Sequence, residues 1–358
     1  MIRVLVAEDS PTARALLVAM MSEDPELQVI AEAKTGLEAV EMAERLRPDL
    51  VTMDVHMPEL DGLEATERIM ASAPCPILIV SSKARDSDIS LSLDATRAGA
   101  LLVLPKPEGP LSPSYESDKR HLVSMVKALS RVKVVRRRGS NERDVSPRNG
   151  RRDIAEPAGL RSKSPGARGA ASLVAIGSST GGPAALRDIV LELPRDFRAP
   201  ILVVQHIARG FVQGLARWLG ADAGIDVRVA TDGETVRSGT MYIAGDGKHL
   251  EVRKDSYGGY RIALANTAPI GTFRPSVTRL FESAAEAAGE KLLAVILTGM
   301  GDDGVAGLSS VRKRGGLVIA QDERSSVIYG MPREAVRAGV VDQVLPLSDI
   351  TSRMVELT

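Results

Sequence analysis

Five short apolar runs in residues 1–130 each lead into an amphipathic stretch of helical period, and the same style of alternation returns after residue 171. That pattern constrains the fold more than any other feature. Consecutive βα units of this length pair their strands in parallel and need helices on both faces of the sheet. The spacing predicts strands at 3–7, 28–33, 50–53, 77–80 and 101–104, with helices near 11–22, 36–46, 61–72, 86–97 and 116–130. Ser10 followed by Pro11 reads as a cap with proline in the first turn. In the second half, strands are expected at 173–176, 201–204, 240–244, 292–297 and 317–320. No repeat of fixed period relates the two halves.

Between the halves the apolar period disappears. Residues 131–168 hold twelve basic and four acidic residues amid Gly, Pro and Ser, a local net charge of +8. Lys+Arg and Asp+Glu are both 46 in the whole chain, so the remainder carries the opposite excess. A length of 358 residues suits two cores better than one. The expected division is therefore a first domain over 1–130, a flexible basic linker over 131–170 and a second domain over 171–358. A polyanion-binding patch is the competing reading of the joint. It lacks aromatic interleaving, and aromatics are only 3% of the chain, which argues against base-stacking nucleic-acid binding. The single cysteine, Cys75, cannot form an intramolecular disulfide. No apolar run approaches the ~20 residues that span a bilayer, and charge appears within nine residues of the start. A cytoplasmic protein without membrane insertion is expected.

In open parallel sheets, ligands sit at the carboxyl ends of the strands. Glu8 and Asp9 follow the first expected strand, Asp54 the third, Ser81 the fourth and Lys106 the fifth. Three carboxylates at one edge repel one another unless a cation joins them, and hard oxygen ligands suit Mg²⁺. The segments V-L-V-A-E-D-S at 4–10, M-D-V-H-M-P-E-L-D-G at 53–62, Ser81 and K-P at 106–107 resemble a two-component receiver domain. That resemblance implies a flavodoxin-like fold in which Asp54 accepts a phosphoryl group from a histidine kinase. It implies that Glu8, Asp9 and Asp54 hold Mg²⁺, while Lys106 and the Ser81 hydroxyl contact the phosphoryl oxygens. Val103 stands where receivers often carry an aromatic switch residue, and Pro105 restricts the approach to Lys106.

The second half opens with S-L-V-A-I-G-S-S-T-G-G-P at 172–183, a strand running into a Gly-rich turn. A phosphate loop would need a lysine before the helix, and the dinucleotide fingerprint fits poorly. A hydroxyl at a strand–helix turn follows the logic of a nucleophile elbow. Of four histidines, only His206 stands at a second-half strand end, so it is the candidate base. His56 follows Asp54, His121 lies on the helix nearest the linker, and His249 has a hairpin context. K-L-L-A-V-I-L-T-G-M-G-D-D-G at 291–304 supplies two aspartates, either of which could orient the imidazole.

Together with F-R-P-S-V at 273–277 and A-Q-D-E-R-S-S-V-I-Y-G-M-P at 320–332, these segments resemble the chemotaxis receptor-glutamate methylesterases. The resemblance implies a Rossmann-like, doubly wound α/β esterase domain that needs no cofactor. By register it implies Ser179 rather than Ser178 as nucleophile, Thr180 as an active-site neighbour, His206 as base and Asp303 rather than Asp302 as the third member. The Met300 amide falls where the family contributes to the oxyanion site. The implied activity is phosphorylation-controlled hydrolysis of glutamate γ-methyl esters on chemoreceptors, with deamidation of certain glutamines. The implied partners are those receptors and a chemotaxis histidine kinase. A phosphorylation-switched adaptor without catalysis is the rival reading, and a DNA-binding regulator is disfavoured because no helix-turn-helix pattern exists.

Overall fold

The computed structural model describes residues 1–81, 93–96, 98–132, 134 and 170–358. β1 (Ile2–Ala7), β2 (Leu27–Ala33), β3 (Leu50–Met53), β4 (Ile77–Ser81) and β5 (Leu102–Pro105) form one sheet in the order β2-β1-β3-β4-β5. Every neighbouring pair is parallel, as alternation with helices requires. Helices Pro11–Ser22, Gly36–Leu46, Gly62–Ser72 and Tyr115–Leu129 flank it. Ser10 caps the first, accepting from the Ala13 amide, with Pro11 in the first turn as expected. Pro105 is tolerated because β5 is an edge strand and Pro105 its last residue. The helix expected at 86–97 falls largely outside the described residues, although 93–96 is helical. The joint at 131–170 lies almost wholly outside them as well.

The second sheet has seven strands: β6 (Leu173–Ser178), β7 (Ile201–Gln205), β8 (Asp226–Val229), β9 (Thr240–Ile243), β12 (Leu292–Ile296), β13 (Leu317–Gln321) and β14 (Gln343–Leu345). Their order is β14-β13-β12-β6-β7-β9-β8, again parallel throughout. β10 (His249–Lys254) and β11 (Tyr260–Ala265) pair as a separate antiparallel hairpin. The strands that periodicity missed are β8 and β14 at the sheet edges and the two of the hairpin, where short or charge-bearing runs carry a weak apolar signal. The central strands β6, β7 and β12 are buried along their whole length. Successive residues face opposite layers. Leu173, Ala175 and Leu202 pack towards Leu280, Phe281 and Ala284, whereas Val174, Ile176 and Val203 pack towards Leu186, Ile189 and Leu215.

Both sheets reverse strand order beside their first strand, between β1 and β3 and between β6 and β12. Such a switch point opens a crevice at the carboxyl ends. No helix among the described residues is long and apolar enough to cross a membrane.

Helix Val277–Ala288 lies close against β6 because Gly177 has no side chain there. A Cβ at Gly177 would fall 2.1 Å from Val277 Cγ1. Gly177→Ala is expected to destabilise the protein by about 1–3 kcal/mol through overpacking. Urea denaturation would check this, and an unchanged midpoint would contradict so tight a contact.

Candidate functional site

The turn after β6 gives two neighbouring serines different environments. Ser178 is fully buried, and its hydroxyl donates to Gln205 Oε1 at 2.6 Å. Ser179 is partly exposed and lines a cleft of about 520 Å³. Its amide donates to the Thr298 carbonyl at 3.0 Å, and its own carbonyl accepts from Gly182 N and Gln205 Nε2, both at 2.8 Å. The backbone is therefore held, while the Ser179 hydroxyl has no hydrogen bond among the described residues. Gly181, at φ +80°, turns the chain into helix Gly182–Glu192 in a conformation that residues with a Cβ rarely adopt. Thr180 lines the same cleft, and its carbonyl accepts from Thr298 Oγ1 at 2.9 Å.

His206 follows β7 and faces the same cleft. Its Nε2 lies 2.9 Å from Asp303 Oδ2, and the ring stacks on Phe273 with centroids 4.2 Å apart and planes 6° from parallel. The carboxylate accepts from Nε2–H, which selects the tautomer and leaves Nδ1 as the basic nitrogen. Nδ1 is buried without a hydrogen-bond partner. No hydrogen bond joins His206 to Ser179. Contacts of this kind commonly tighten only around bound substrate.

Asp303 is 6% exposed and accepts four hydrogen bonds. Besides His206, the donors are Ser276 Oγ at 2.7 Å, the Val277 amide at 2.8 Å and the Thr278 amide at 3.0 Å. The last two belong to the first turn of helix Val277–Ala288, where orphan amides and the dipole favour an anion. Burial pushes the carboxyl up, but His206, Ser276 and the Thr278 amide outweigh that and hold its pKa at about 2. Asp302 is exposed and plays no part in this network.

Met300, 39% exposed, is not among the cleft-lining residues. Its neighbour Gly299 nonetheless abuts the serine turn: a Cβ there would lie 2.7 Å from Ser179 Cβ. His249 proves structural, accepting the Ser276 amide at Nδ1 (3.2 Å) and pairing through Nε2 with the Ala268 carbonyl (3.1 Å). Sequence reasoning missed Gln205, Phe273 and Ser276 as site residues, although Phe273 and Ser276 sit inside a motif it singled out and Gln205 directly precedes the histidine it chose as base.

The cleft has a second wall. Val103, Leu104, Pro105, Asp118, His121 and Met125 of the first half line it opposite Ser179 and His206. The indole of Trp218 donates to Asp94 across the halves at 2.8 Å, and Val327 and Ile328 pack against the apolar core of the first half.

At the other switch point, Glu8, Asp9 and Asp54 offer oxygens within 4.8 Å of one another. Lys106 Nζ bridges Glu8 Oε1 at 2.9 Å and Asp54 Oδ2 at 3.0 Å. Burial raises both the Glu8 and Asp54 pKa values, and the lysine opposes the rise. Burial presses the Lys106 ammonium the other way, but its two carboxylate partners leave its pKa raised. Glu8 Oε2 is buried with no partner. One ammonium against three carboxylates leaves a negative excess and an unused ligand atom, a donor set that fits a hard divalent cation. Ser81 is fully buried at the end of β4, opposite Pro105 in register, and the Lys106 amide donates to its carbonyl at 2.8 Å.

Residues 174–354 match the family described as CheB methylesterase, and residues 4–111 match the response regulator receiver domain. The chain belongs to the CheB methylesterase family. It is 49% identical over 355 residues to protein-glutamate methylesterase/protein-glutamine glutaminase 4 of Myxococcus xanthus, covering 99% of this chain and 96% of that one. A relative of the same description, numbered 3, from Anaeromyxobacter dehalogenans is 47% identical, covering 99% of this chain and 98% of that one. The crystal structure of the Thermotoga maritima CheB methylesterase catalytic domain superposes with a TM-score of 0.51 at 41% identity. It covers 52% of this chain and 99% of that one. Within the methylesterase match fall Ser179, Thr180, His206, Met300 and Asp303; within the receiver match fall Glu8, Asp9, Asp54, Ser81 and Lys106.

The depressed Asp303 pKa has a consequence for stability. A carboxyl at about 2 in the folded chain against an ordinary 3.8 contributes about 2 kcal/mol above pH 4, lost as pH falls through 2. Asp303→Asn is expected to lower stability by at least that much at neutral pH. The gap to the parent should narrow between pH 4 and pH 2 in urea titrations; a gap independent of pH would mean that Asp303 is not held ionised.

Proposed function

We propose that the chain is a phosphorylation-activated hydrolase that demethylates glutamate γ-methyl esters on chemoreceptors and deamidates specific receptor glutamines. The observation that carries this reading is the ionised Asp303 holding His206 beside the unengaged Ser179 hydroxyl in one cleft. In the reaction, His206 Nδ1 takes the Ser179 proton as the oxygen attacks the ester carbonyl. Asp303 stabilises the imidazolium that forms. Backbone donors at the serine turn and the Met300 amide receive the oxyanion. Collapse breaks the bond to methoxide, which leaves as methanol with the proton from His206. Water, deprotonated by the same nitrogen, then attacks the acyl-enzyme and releases glutamate. The same steps on a glutamine side chain release ammonia.

Asp54 is the proposed phosphoryl acceptor, with a chemotaxis histidine kinase as donor. Glu8, Asp9 and Asp54 would hold Mg²⁺, which when bound neutralises charge on the transferring group. Lys106 and the Ser81 hydroxyl would contact the phosphoryl oxygens. The division into receiver 1–130, linker 131–170 and esterase 171–358 assigns control to the first half, acting within the cytoplasm. The first-half wall across the cleft supports an occluded resting state that phosphorylation opens.

Replacing Ser179 with Ala while keeping Ser178 should abolish methanol release from methylated receptor membranes. Activity retained in that variant would remove Ser179 from the reaction, and a wild-type chain releasing no methanol would favour a non-catalytic adaptor. Deletion of residues 1–130 should raise esterase activity above that of the unphosphorylated whole chain; an equal or lower activity would refute occlusion. Because Trp218 is the chain's one tryptophan and hydrogen-bonds Asp94, its emission should shift when Asp54 is phosphorylated. The shift should be absent in Asp54→Asn.

A further inference from the structure

Gln205 is a buried polar side chain to which the reaction above gives no role. It ends β7, is 3% exposed, and spends its whole amide between the two strands that carry the reacting groups. Its Nε2 donates to the Ser179 carbonyl at 2.8 Å and to the His206 carbonyl at 2.7 Å. Its Oε1 accepts from Ser178 Oγ at 2.6 Å. Both amide protons and one oxygen site are thereby engaged, at the two residues whose separation sets proton transfer.

The orientation of the amide is determined. Turned over, Oε1 would face two carbonyl oxygens, so the Ser179 and His206 carbonyls specify which end is NH₂, and the Ser178 hydroxyl then donates to Oε1 and anchors the other end. Position is determined too, because Gly182 in the first turn of helix Gly182–Glu192 packs against the amide: a Cβ there would fall 1.9 Å from Oε1 and 2.9 Å from Ser178 Cβ. The His206 amide donates to the Ser178 carbonyl at 2.9 Å, so the side-chain brace parallels a backbone one. Asp303 orients the imidazole, but it does not touch the serine turn. Among the described residues, the Gln205 side chain is what ties the Ser179 carbonyl directly to the His206 carbonyl.

We propose that Gln205 is a positioning residue, and that Ser178 and Gln205 together set the distance between the Ser179 hydroxyl and His206 Nδ1. The inference rests on Ser179 and His206 acting as proposed above. A misplacement of about 1 Å between reacting groups can lower turnover on the order of a hundredfold. Although Gln205 borders the cleft, it is 3% exposed and its amide is spent on the brace, so its loss should act on turnover and not on receptor binding.

The test compares the full-length chain, phosphorylated by a small-molecule donor with Mg²⁺, as wild type, Gln205→Met, Gln205→Glu and Ser178→Ala. Methanol release from methylated receptor membranes gives kcat and KM, and labelling by a fluorophosphonate reports Ser179 reactivity without the receptor. Gln205→Met and Gln205→Glu should lower kcat at least tenfold, with KM within twofold and labelling reduced in parallel. Gln205→Glu should be the more severe, since its carboxylate faces two carbonyl oxygens. Ser178→Ala, which keeps the amide but leaves Oε1 without its donor, should lower kcat several-fold without loss of folded protein by circular dichroism. Should the Gln205 variants fail to fold, Ser178→Ala alone decides. An unchanged kcat and labelling rate, or a rise in KM alone, would overturn the proposal. Ser179→Ala in the same series separates the two readings: if that variant keeps activity, the reaction assignment has failed, whereas if it is inactive while the Gln205 and Ser178 variants are unimpaired, only the brace has failed.

Discussion

The Asp303 carboxylate, seated on the first turn of helix Val277–Ala288, is the interaction on which the second half depends. It joins three elements that are far apart in sequence: the loop after β12, the N-terminus of that helix and the histidine after β7. A buried carboxylate is costly unless its oxygens are used. Here four donors use them, and the group remains ionised despite its burial. The helix amides need an acceptor, the carboxylate needs donors, and the imidazole needs an orientation. One contact set meets all three requirements, so the charge is a fixed part of the scaffold.

The acidic site of the first half is built on the opposite balance. Glu8 and Asp54 are buried as well, yet burial raises their pKa values and a single lysine spans both. Glu8 Oε2 finds no partner. Asp303 is a completed network that holds another residue still; the Glu8, Asp9 and Asp54 group is an incomplete one, with a ligand oxygen left over that suits a cation. Both lie where strand order reverses, because that is where two loops diverge and leave room.

Both halves line the cleft that holds the serine and the histidine. Residues of β5 and helix Tyr115–Leu129 form the wall opposite Ser179 and His206, and Val327 reaches from the second half into contact with the first. The same Val327 lies against Gly181, where a Cβ would come within 2.6 Å of it. Val327 thus joins the first half to a residue two positions from the serine. Val103, standing where an aromatic ring is common in receivers, is a small apolar part of this wall.

The alternation of apolar runs was enough to establish two parallel α/β sheets, since periodicity reflects burial, and burial is strongest in central strands such as β6 and β12. Motif spacing put hydroxyl, imidazole and carboxylates at strand ends for the same reason: open parallel sheets expose their carboxyl ends to ligands. Edge strands β8 and β14 escaped because their burial is partial. Local pattern could not separate Ser178 from Ser179, or Asp302 from Asp303, because neighbouring residues of one type have the same chemistry until a fold surrounds them. Family register chose between them, and tertiary structure supplies the physical reason. Ser178 is consumed by Gln205 while Ser179 opens to the cleft; Asp302 faces solvent while Asp303 meets a helix end and an imidazole. The sequence by itself determined which chemistry the chain can perform. Which of two identical neighbours opens to the cleft or meets the imidazole, and what holds it in place, was decided by contacts between residues about 25 to 100 positions apart, which no local pattern encodes.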